Sequence, residues 1–372
     1  MVKGPGNLKE AELIAGAFAK LREVLGRPGF LHVTGQIPQG TIVTNSEACQ
    51  IDGGIQVESH GRSFQILIEA KANGQPMSAR QAIGQLRYCI SKLPEPVRSY
   101  GVFTAPYISP DAARICQESG IGYVDLAGNA HLEFADVYID LRVADNPFKE
   151  VRENRPLFSG KGDRVLRVLL TPPLRPWKVT ELSLKSGVSL GQVSTVRGHL
   201  LEREWAVADD LGLVVTRPED LARAWQLAYK PKRETFKRYT VLHGAALDEA
   251  IKAAMHQPSE GRQLTLASFT AAKWIAPFAR QGTTYLYATK EGLELADRQL
   301  QLQSAAQGEN VVIWIPKEDD VFVSSIEVAP GYWSSGYLQT WLDLGAGGDR
   351  GKEAAEHFLQ QELMPAWRSA IV

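Results

Sequence analysis

The first 150 residues alternate two kinds of hydrophobic pattern. Apolar residues recur at three- and four-residue steps in some segments, which predicts helices. In others they alternate with polar residues or form short runs, which predicts strands. The predicted helices are 8–25, 78–93 (with Ser78 as N-cap) and 111–120. The predicted strands are 54–58, 64–71, 100–104, 123–126, 131–134 and 137–141. This order indicates an α/β or α+β domain whose helices cover a mixed sheet.

A break at 145–162, rich in proline, glycine and arginine, precedes a helical middle region. Its predicted helices are 163–170, 179–187 and 189–205, and its predicted hairpin is 206–215. Two helices, a glycine turn, a capped helix and a hairpin follow one another in a winged helix-turn-helix. The middle region is therefore predicted to have that fold.

The remainder of the chain is again mixed. A second break at Lys230-Pro-Lys-Arg233 leads to predicted strands at 284–288 and 310–315 and to a final helix over 351–367. We therefore predict a multidomain α/β (α+β) protein in three parts. The predicted domains are 1–148 with a mixed sheet, 160–217 with the winged helix, and 235–372 with a C-terminal α/β fold.

The length, charge and apolar content of the chain limit the classes of protein to which it can belong. The 372 residues suffice for two or three domains. The 41 Lys and Arg against 42 Asp and Glu give a net charge of -1, so any nucleic-acid surface has to be local. No apolar stretch is long enough to span a membrane, and the start has no apolar signal segment, so we expect a cytoplasmic protein. Three cysteines without a Cys-x-x-Cys pair indicate neither a disulfide framework nor a zinc site.

Four polar residues follow one another around the predicted hairpin of the first domain. Glu69 and Lys71 close an apolar strand and share one face of it, because side chains two positions apart point the same way. Asp52 begins the preceding strand, so pairing of the two strands brings it near Glu69. Gln85 lies on the following helix. An Asp, then Glu-x-Lys, then a helical Gln resembles the core of the PD-(D/E)xK nucleases, which implies a restriction-endonuclease-like domain.

This resemblance implies a role for each residue. Asp52 and Glu69 would hold a metal ion, Lys71 would contact the phosphate or the water, and Gln85 would support them. The chain departs from the family pattern because no proline precedes Asp52, and Glu58 is an alternative ligand. Without catalysis, Glu69 and Lys71 would be a solvent-facing ion pair worth at most about 1 kcal/mol.

Two other segments allow two interpretations each. Asp125 and Asn129 either line the same pocket or belong to the hairpin turn that Gly128-Asn129 favours, and we prefer the turn. The basic segment 230–238 either extends a DNA-binding surface or is a solvated linker, and the sequence does not distinguish them.

The third helix of the middle region carries side chains suited to reading DNA. Gln and Arg make bidentate contacts with base edges, and Ser and Thr contact phosphates or bases. From 161 to 203, eight basic residues stand against three acidic ones, an excess of five positive charges that suits phosphate binding. The alternative is a winged helix used only for dimerisation or domain packing. The predicted DNA-binding residues are Ser189, Gln192, Ser194, Thr195, Arg197, Lys178 and Lys185.

Several strings between about Glu69 and Trp367 are distinctive. They are Ala105-Pro-Tyr-Ile-Ser-Pro110, Tyr123-Val-Asp-Leu-Ala-Gly-Asn129, Ser189-Leu-Gly-Gln-Val-Ser-Thr-Val-Arg197, Gln339-Thr-Trp-Leu-Asp-Leu344 and Asp349-Arg-Gly-Lys-Glu-Ala-Ala-Glu356. Together they resemble the AbiEi-type family of bacterial transcriptional regulators, which is similar to antitoxins of type IV toxin–antitoxin systems. The resemblance implies a winged-helix DNA binder that represses its own operon and neutralises a toxin. The chain departs from short antitoxins by its large α/β domain before the winged helix.

We therefore expect a sequence-specific transcriptional regulator that binds double-stranded DNA, is antitoxin-like and needs no cofactor, and we leave open whether it is also an enzyme. The alternative is a Mg²⁺-dependent PD-(D/E)xK-type DNA endonuclease, targeted by its winged helix, with Asp52 and Glu69 as metal ligands. A third interpretation is an interaction module in phage defence. The expected partners are double-stranded DNA and a toxin or defence-system protein, with no membrane. A homodimer is left open.

Overall fold

A computed structural model describes residues 10–44, 47–93, 97–143, 157–158, 160–256, 261–278 and 281–369. In these residues, helices and two seven-stranded mixed sheets form a mixed α/β architecture. The chain divides into two compact units. The first comprises Met1–Pro156 with Thr195–Ala206, and the second comprises Leu157–Ser194 with Val207–Val372. One boundary falls inside a helix of the middle region, between Ser194 and Thr195.

The first unit opens with a helix and continues with strands and helices up to Leu141. Its helices there are α1 (Glu10–Leu25), α2 (Pro76–Lys92) and α3 (Pro110–Glu118). Its strands are β1 (Leu31–Ile37), β2 (Gly40–Thr44), β3 (Glu47–Ile51), β4 (Gly53–Ser59), β5 (Arg62–Ala70), β6 (Ser99–Ala105), β7 (Gly122–Asp125), β8 (Ala130–Phe134) and β9 (Val137–Leu141). Seven of them form a sheet in the order β1-β4-β5-β6-β7-β8-β9, while β2 pairs with β3. Strands β5, β6 and β7 run parallel, and the other neighbours run antiparallel.

Apolar clusters cover both faces of this sheet. Ile66 and Ile68 of β5 join the cluster that includes the buried residues of α1. Leu67 joins the other cluster, which is formed with α2, α3 and β3. Successive side chains of a strand point to opposite faces, so this continuous apolar run becomes a strand buried on both sides. Glu69 therefore lies on the face that α2 and α3 cover.

The hairpin β2–β3 is joined to α2 by a disulfide between Cys49 and Cys89, whose Cα atoms are 5.6 Å apart. These cysteines are separated by 40 positions in the sequence. Their spacing alone did not indicate a pair, because the contact arises only when β3 packs against α2. Cys116, in α3, is a buried free thiol.

The middle region contains four helices and a short hairpin. The helices are α4 (Lys161–Leu170), α5 (Val179–Ser186), α6 (Leu190–Glu202) and α7 (Pro218–Ala228), and the hairpin strands are β10 (Ala206–Ala208) and β11 (Leu213–Val215). Trp177, between α4 and α5, forms an antiparallel bridge with Leu213. The backbone N–H of each donates to the carbonyl of the other at 2.9 Å. Trp177 thus adds a third strand position beside β11.

The C-terminal part is built on the second mixed sheet. Its strands are β12 (Arg233–Tyr239), β13 (Leu264–Leu266), β14 (Thr284–Ala288), β15 (Gln303–Ser304), β16 (Val311–Pro316), β17 (Ile326–Ala329) and β18 (Tyr332–Ser334). They lie in the order β15-β12-β16-β14-β13-β18-β17. Its helices are α8 (Ala245–Met255), α9 (Ser268–Ile275), α10 (Lys290–Gln299), α11 (Asp320–Val323), α12 (Tyr337–Gly345), α13 (Gly348–Phe358) and α14 (Met364–Arg368), with a π-helical turn at Leu359–Leu363.

Within the second unit, the C-terminal helices hold α4 and α7. Trp367 is buried, and its Nε1 donates to Leu170 O at the end of α4 at 2.9 Å. Arg223 of α7 donates through both terminal nitrogens to the Glu356 carboxylate of α13, at 2.8 and 2.9 Å. A planar guanidinium matched to a carboxylate in this way fixes orientation as well as distance. The two middle-region helices are therefore anchored to the C-terminal sheet domain.

One expectation about local structure is wrong. Ser78 is not the N-cap of α2, because the helix starts at Pro76 with Gln75 as its cap, and proline is favoured at the first helical position. The predicted break at 230–233 coincides with residues 229–232 between α7 and β12, and its last residue, Arg233, begins β12, which pairs with β16 over 233–238. Residues 145–156 of the first predicted break lie outside the described part of the chain. No helix in the described residues is both long and apolar enough to cross a membrane.

Candidate functional sites

The carboxyl end of β5 brings together three of the predicted catalytic residues. The backbone N–H of Asp52 donates to Ile68 O at 3.2 Å, and Asp52 Oδ2 accepts from the backbone N–H of Ala70 at 2.8 Å. Asp52 is therefore bonded to the strand on both sides of Glu69. Lys71 Nζ donates to Glu69 Oε1 at 2.7 Å. Only 9% of the Glu69 side chain is exposed. The Glu69–Lys71 ion pair is therefore not the solvent-facing pair that we expected for a domain without catalytic activity.

The other two candidates of this domain lie apart from that cluster. Gln85 Nε2 donates to the carbonyl of Gln50 at 2.8 Å, so Gln85 supports the strand that leads into Asp52. Glu58 pairs with Ser63 at the opposite end of β4. At about 3.3 Å per residue, Glu58 lies on the order of 20 Å along the strand from the Asp52 end. The alternative that Glu58 replaces a ligand is therefore wrong.

The carboxylates of Asp52 and Glu69 are the candidate ligands at this end of β5 for a Mg²⁺ ion that also binds a substrate. Among the described residues, no three His, Cys, Asp or Glu side chains gather in a metal-binding group. Mg²⁺, however, usually keeps several waters and takes one or two carboxylates together with substrate phosphates. Asp52, directly before β4, and Glu69, on β5, supply that smaller number of carboxylates. A cage of protein ligands, as for a structural metal, is not formed by these residues.

The segment after β5 is held tightly against the segment after β6. The backbone N–H of Lys71 donates to Thr104 O at 2.9 Å, and that of Ser109 donates to Gly74 O at 2.9 Å. A Cβ atom at Gly74 would lie 2.1 Å from Tyr107 O, so only glycine allows this approach. The position of Lys71 is thus fixed by backbone contacts as well as by its ion pair.

Asp125 belongs to a turn, as the sequence favoured. Its Oδ1 accepts from the backbone N–H groups of Gly128 and Asn129, and its Oδ2 accepts from Ile108 N and Asn129 Nδ2. Gly128 has a φ of 111°, which glycine adopts without strain. Burial raises the pKa of Asp125 above its ordinary value, although these donors lower it in part. Its oxygens serve the turn, and the residue is fully buried.

The first half of α6 presents the predicted DNA-reading side chains to solvent. Gly187, with a φ of 64°, ends α5 in the left-handed conformation, and Ser189 O accepts from Gln192 N and Val193 N to start α6. Apolar residues of α6 are buried, namely Val193, Val196 and Leu200. Ser189, Gln192, Ser194, Thr195 and the nearby Lys185 are exposed, and Arg197 is half-buried.

The hairpin after α6 is shaped by its own acidic turn. Asp209 Oδ1 accepts from Leu211 N at 2.9 Å and from Gly212 N at 3.1 Å. Lys178 Nζ donates to Asp210 O at 2.6 Å. Lys178 is thus exposed but already bonded to the hairpin, and the hairpin tip exposes carboxylates that repel a phosphate backbone.

Acidic neighbours offset several cations of the middle region. Arg164 bonds to Glu318 and Asp320 of the C-terminal part, each at 2.9 Å. Arg167 lies 2.7 Å from Asp163, and Arg175 pairs with Glu181. Asp163 and Glu181 are already included in the excess of five positive charges counted from the sequence. It is therefore the pairing of Arg164 with Glu318 and Asp320 that offsets this excess further.

The same holds for the basic segment 230–238. Arg233 is paired with Asp343, Lys237 with Glu309 and Arg238 with Asp297. Most of this segment is therefore strand β12 and not a linker, and three of its five cations are paired with acidic residues.

A buried polar network in the C-terminal domain was not predicted from the sequence. Asp343 is 1% exposed and accepts from Arg233 Nη1 at 2.6 Å, Tyr287 Oη at 2.8 Å and Tyr229 Oη at 3.2 Å. Gln339 Nε2 donates to Tyr229 Oη at 2.9 Å. Burial, followed by the charge of Asp343, raises the pKa of Tyr287. The signal in the sequence was the pair of polar residues Gln339 and Asp343, four positions apart in an apolar helix, which shared one face.

The network reaches the middle region. Arg167 Nη2, on α4, donates to Gln339 Oε1 at 2.7 Å. The guanidinium of Arg233 also stacks on the Trp314 ring, with its central carbon 3.2 Å from the ring centroid. All of these residues belong to the second unit. The network thus joins α4 to the face of the C-terminal sheet.

Compared with models of protein families and with curated proteins, the chain has no match. The resemblances to the PD-(D/E)xK core and to the AbiEi-type family therefore rest on the residues quoted above.

Proposed function

We propose that this protein binds double-stranded DNA in a sequence-specific way and regulates transcription. The observation that carries the proposal is the exposed row of hydrogen-bonding side chains on the first half of α6. The order α4, Trp177 bridge, α5, α6 and β10–β11 hairpin supports a winged helix-turn-helix, in which the last helix enters the major groove.

Each side chain has a distinct part in the proposed contact. Gln192 and Arg197 contact base edges, and Ser189, Ser194 and Thr195 contact phosphates or bases at the start of the helix. Lys185 supplies phosphate attraction, whereas Lys178 holds the hairpin and the hairpin stays out of the groove. A palindromic target would be read by a homodimer, with half-sites about one helical turn apart.

The test is selection of binding sequences from a random duplex pool in EDTA. The double variant Gln192→Ala/Arg197→Ala should bind the selected duplex at least about tenfold more weakly, since a good bidentate contact contributes about 1–3 kcal/mol. The matched control is Gln299→Ala/Arg298→Ala, which removes the same two residue types from the exposed face of α10. Equal losses in both variants would exclude α6 as the reading helix.

The AbiEi-type resemblance extends this proposal to an antitoxin-like regulator in the cytoplasm. Such a protein represses its own operon and binds a toxin or defence-system protein. The duplex selection should then enrich sequences found upstream of its own gene. Enrichment of sequences unrelated to that region would contradict repression of its own operon, while the proposal of sequence-specific DNA binding would stand.

A second candidate function is a Mg²⁺-dependent DNA endonuclease. The specific observation in its favour is that Asp52, Glu69 and Lys71 meet at the carboxyl end of β5 and are held there by backbone bonds. The order α1, β1, β4, β5, α2, β6 around this point supports a restriction-endonuclease-like domain. Asp52 and Glu69 would hold the metal ion, which would polarise the phosphate and activate a water molecule. Lys71 would offset negative charge on the phosphate.

Incubation with plasmid DNA and Mg²⁺ or Mn²⁺ tests this candidate. Cleavage should stop in EDTA and in Glu69→Ala, and it should persist in Glu58→Ala. The control removes an exposed glutamate from the far end of the same hairpin. Absence of cleavage by the unaltered protein with both metals would remove the nuclease candidate and leave the regulator.

A further inference from the structure

The disulfide between Cys49 and Cys89 cross-links strand β3 to helix α2. Cys49 lies on β3 and Cys89 near the end of α2, and each is 2% exposed. The bond closes a loop of 40 residues that contains β4, β5 and most of α2. It therefore links a peripheral hairpin to the helix that covers the catalytic candidates.

The hairpin needs that link, because it stands outside the seven-stranded sheet. Strands β2 and β3 pair only with each other among the described strands. An isolated two-stranded hairpin is at best marginally stable in water. Among the described residues, ties between this hairpin and α2 also include the Gln85 hydrogen bond to Gln50 O and the burial of Ile51 in the apolar cluster of that face.

Movement of β3 would also displace Asp52. Strand β3 ends at Ile51, and Asp52 is the next residue. Asp52 is held to β5 by the bonds to Ile68 O and Ala70 N described above. The disulfide thus fixes the strand directly before Asp52, while β5 fixes Asp52 itself. When the disulfide is reduced, the hydrogen bonds between Asp52 and β5 have to oppose the motion of the loosened hairpin.

We propose that Cys49 and Cys89 are a redox-active pair, and that their reversible disulfide sets how firmly the β2–β3 hairpin and the Asp52 carboxylate are held. A thiolate of an external dithiol attacks one sulfur, breaks the S–S bond and forms a mixed disulfide. Its second thiolate then releases the protein thiol. Two electrons and two protons pass to the protein, Cys49 and Cys89 become thiols, and the dithiol becomes a disulfide.

The environment supports a switch over a permanent staple. Disulfides in a reducing cytoplasm, the compartment proposed above, are mostly redox-sensing or catalytic. Both sulfurs are buried, so exchange requires the hairpin to open, and a peripheral two-stranded element opens at less cost than the central sheet. The inference rests on the proposed cytoplasmic location and not on DNA binding or cleavage.

The experiment uses the full chain equilibrated in buffers of reduced and oxidised dithiothreitol, a dithiol, from oxidising to reducing. Free thiols are trapped with an alkylating reagent and located by mass spectrometry. Cys49 and Cys89 should gain the label together as the buffer becomes reducing. Cys116→Ser is the matched control, because it removes the free cysteine and should leave this transition unchanged. Labelling of Cys49 and Cys89 in every buffer, including the most oxidising, would overturn the proposal.

Hydrogen exchange on the same samples measures the consequence. Reduction should speed exchange in peptides covering 47–52 and Ala70 by roughly tenfold or more, since a native cross-link typically contributes a few kcal/mol. In Cys49→Ala/Cys89→Ala, exchange there should be fast in all buffers. If reduction speeds exchange at 47–52 but leaves exchange at Ala70 unchanged, the effect of the disulfide is local, and the coupling to Asp52 is contradicted. Unchanged exchange throughout would contradict the switch.

Discussion

Gly74 shows how a single residue fixes the candidate nuclease site. Its backbone lies so close to Tyr107 that a Cβ atom would be 2.1 Å from the carbonyl oxygen. Since this oxygen belongs to the backbone, a side chain cannot be accommodated by a rotamer change. The segments after β5 and β6 would have to separate, and Lys71 would move with the first of them.

Gly74→Ala should therefore lower the free energy of unfolding by about 1–3 kcal/mol, the usual cost of overpacking. The matched control is Gly84→Ala on the exposed face of α2, where a Cβ meets nothing within 4 Å. That change should raise stability by about 0.5–1 kcal/mol, because alanine favours a helix over glycine. Urea unfolding of both variants measures the difference. A Gly74→Ala protein as stable as the unaltered chain would contradict the close approach.

Among pairs of elements, the contact between α7 and α13 has a pH-dependent strength. The Arg223 hydrogen bonds hold the pKa of Glu356 below its ordinary value of 4.5. A lowered carboxyl pKa contributes stability above the unfolded pKa, and this contribution is lost as the pH falls through the folded pKa. About half of the Glu356 side chain is exposed, so solvent screening limits the pair to about 0.5–1 kcal/mol.

Glu356→Gln should accordingly destabilise the protein at pH 7, and the difference should vanish as the pH falls below 4.5. Glu353→Gln on the exposed side of the same helix is the control and should have little effect at either pH. Denaturant unfolding at several pH values gives both curves. A difference that persists in acid would show that the loss comes from packing and not from the ion pair.

The buried network makes a larger contribution to how the elements of the second unit are joined. Removal of Asp343 leaves the Arg233 guanidinium buried without its carboxylate. Asp343→Ala should cost about 3–5 kcal/mol, the typical penalty for breaking a buried ion pair. Arg233→Met/Asp343→Leu removes both charges and should recover most of that loss. If the double variant is as unstable as the sum of the single changes, the two residues do not act as a pair.

Elements with a strong repeat could be predicted from the sequence, and elements defined by partners could not. The β4–β5 hairpin, α2, α3, β6, β14 and β16 were predicted within a few residues, because each has a clear period or a continuous apolar run. Strands β1 to β3 were missed. β1 alternates buried and exposed residues but is rich in polar ones, and β3 depends on its packing against α2. β12 was missed because its charges suggested a linker, whereas their partners lie far along the chain.

The same distinction applies to the candidate sites. The cluster of Asp52, Glu69 and Lys71 followed from strand pairing, which is a local rule. The exclusion of Glu58, the disulfide and the Asp343 network required knowledge of which strand ends and helices meet. Residue type alone does not provide that information, because the separations range from tens of residues to more than one hundred.

For the molecule as a whole, charge limits how DNA can be bound. The net charge of -1 gives no long-range attraction to a polyanion. Ion pairs within the second unit also occupy Arg164 and Arg167. Under the proposed function, few phosphate contacts are then available, and specificity comes from the exposed side chains of α6. Binding should weaken only modestly with salt, since each phosphate contact adds about 0.9 to the slope of log affinity against log salt.

The most direct measurement is a titration of the unaltered protein with its selected duplex and with a scrambled duplex of equal length, in EDTA and at several salt concentrations. A sequence-reading regulator should prefer the selected duplex by roughly a thousandfold or more at physiological salt. That preference should persist while both affinities decline as salt rises. Equal affinity for the two duplexes at every salt concentration would contradict sequence-specific DNA binding by this protein.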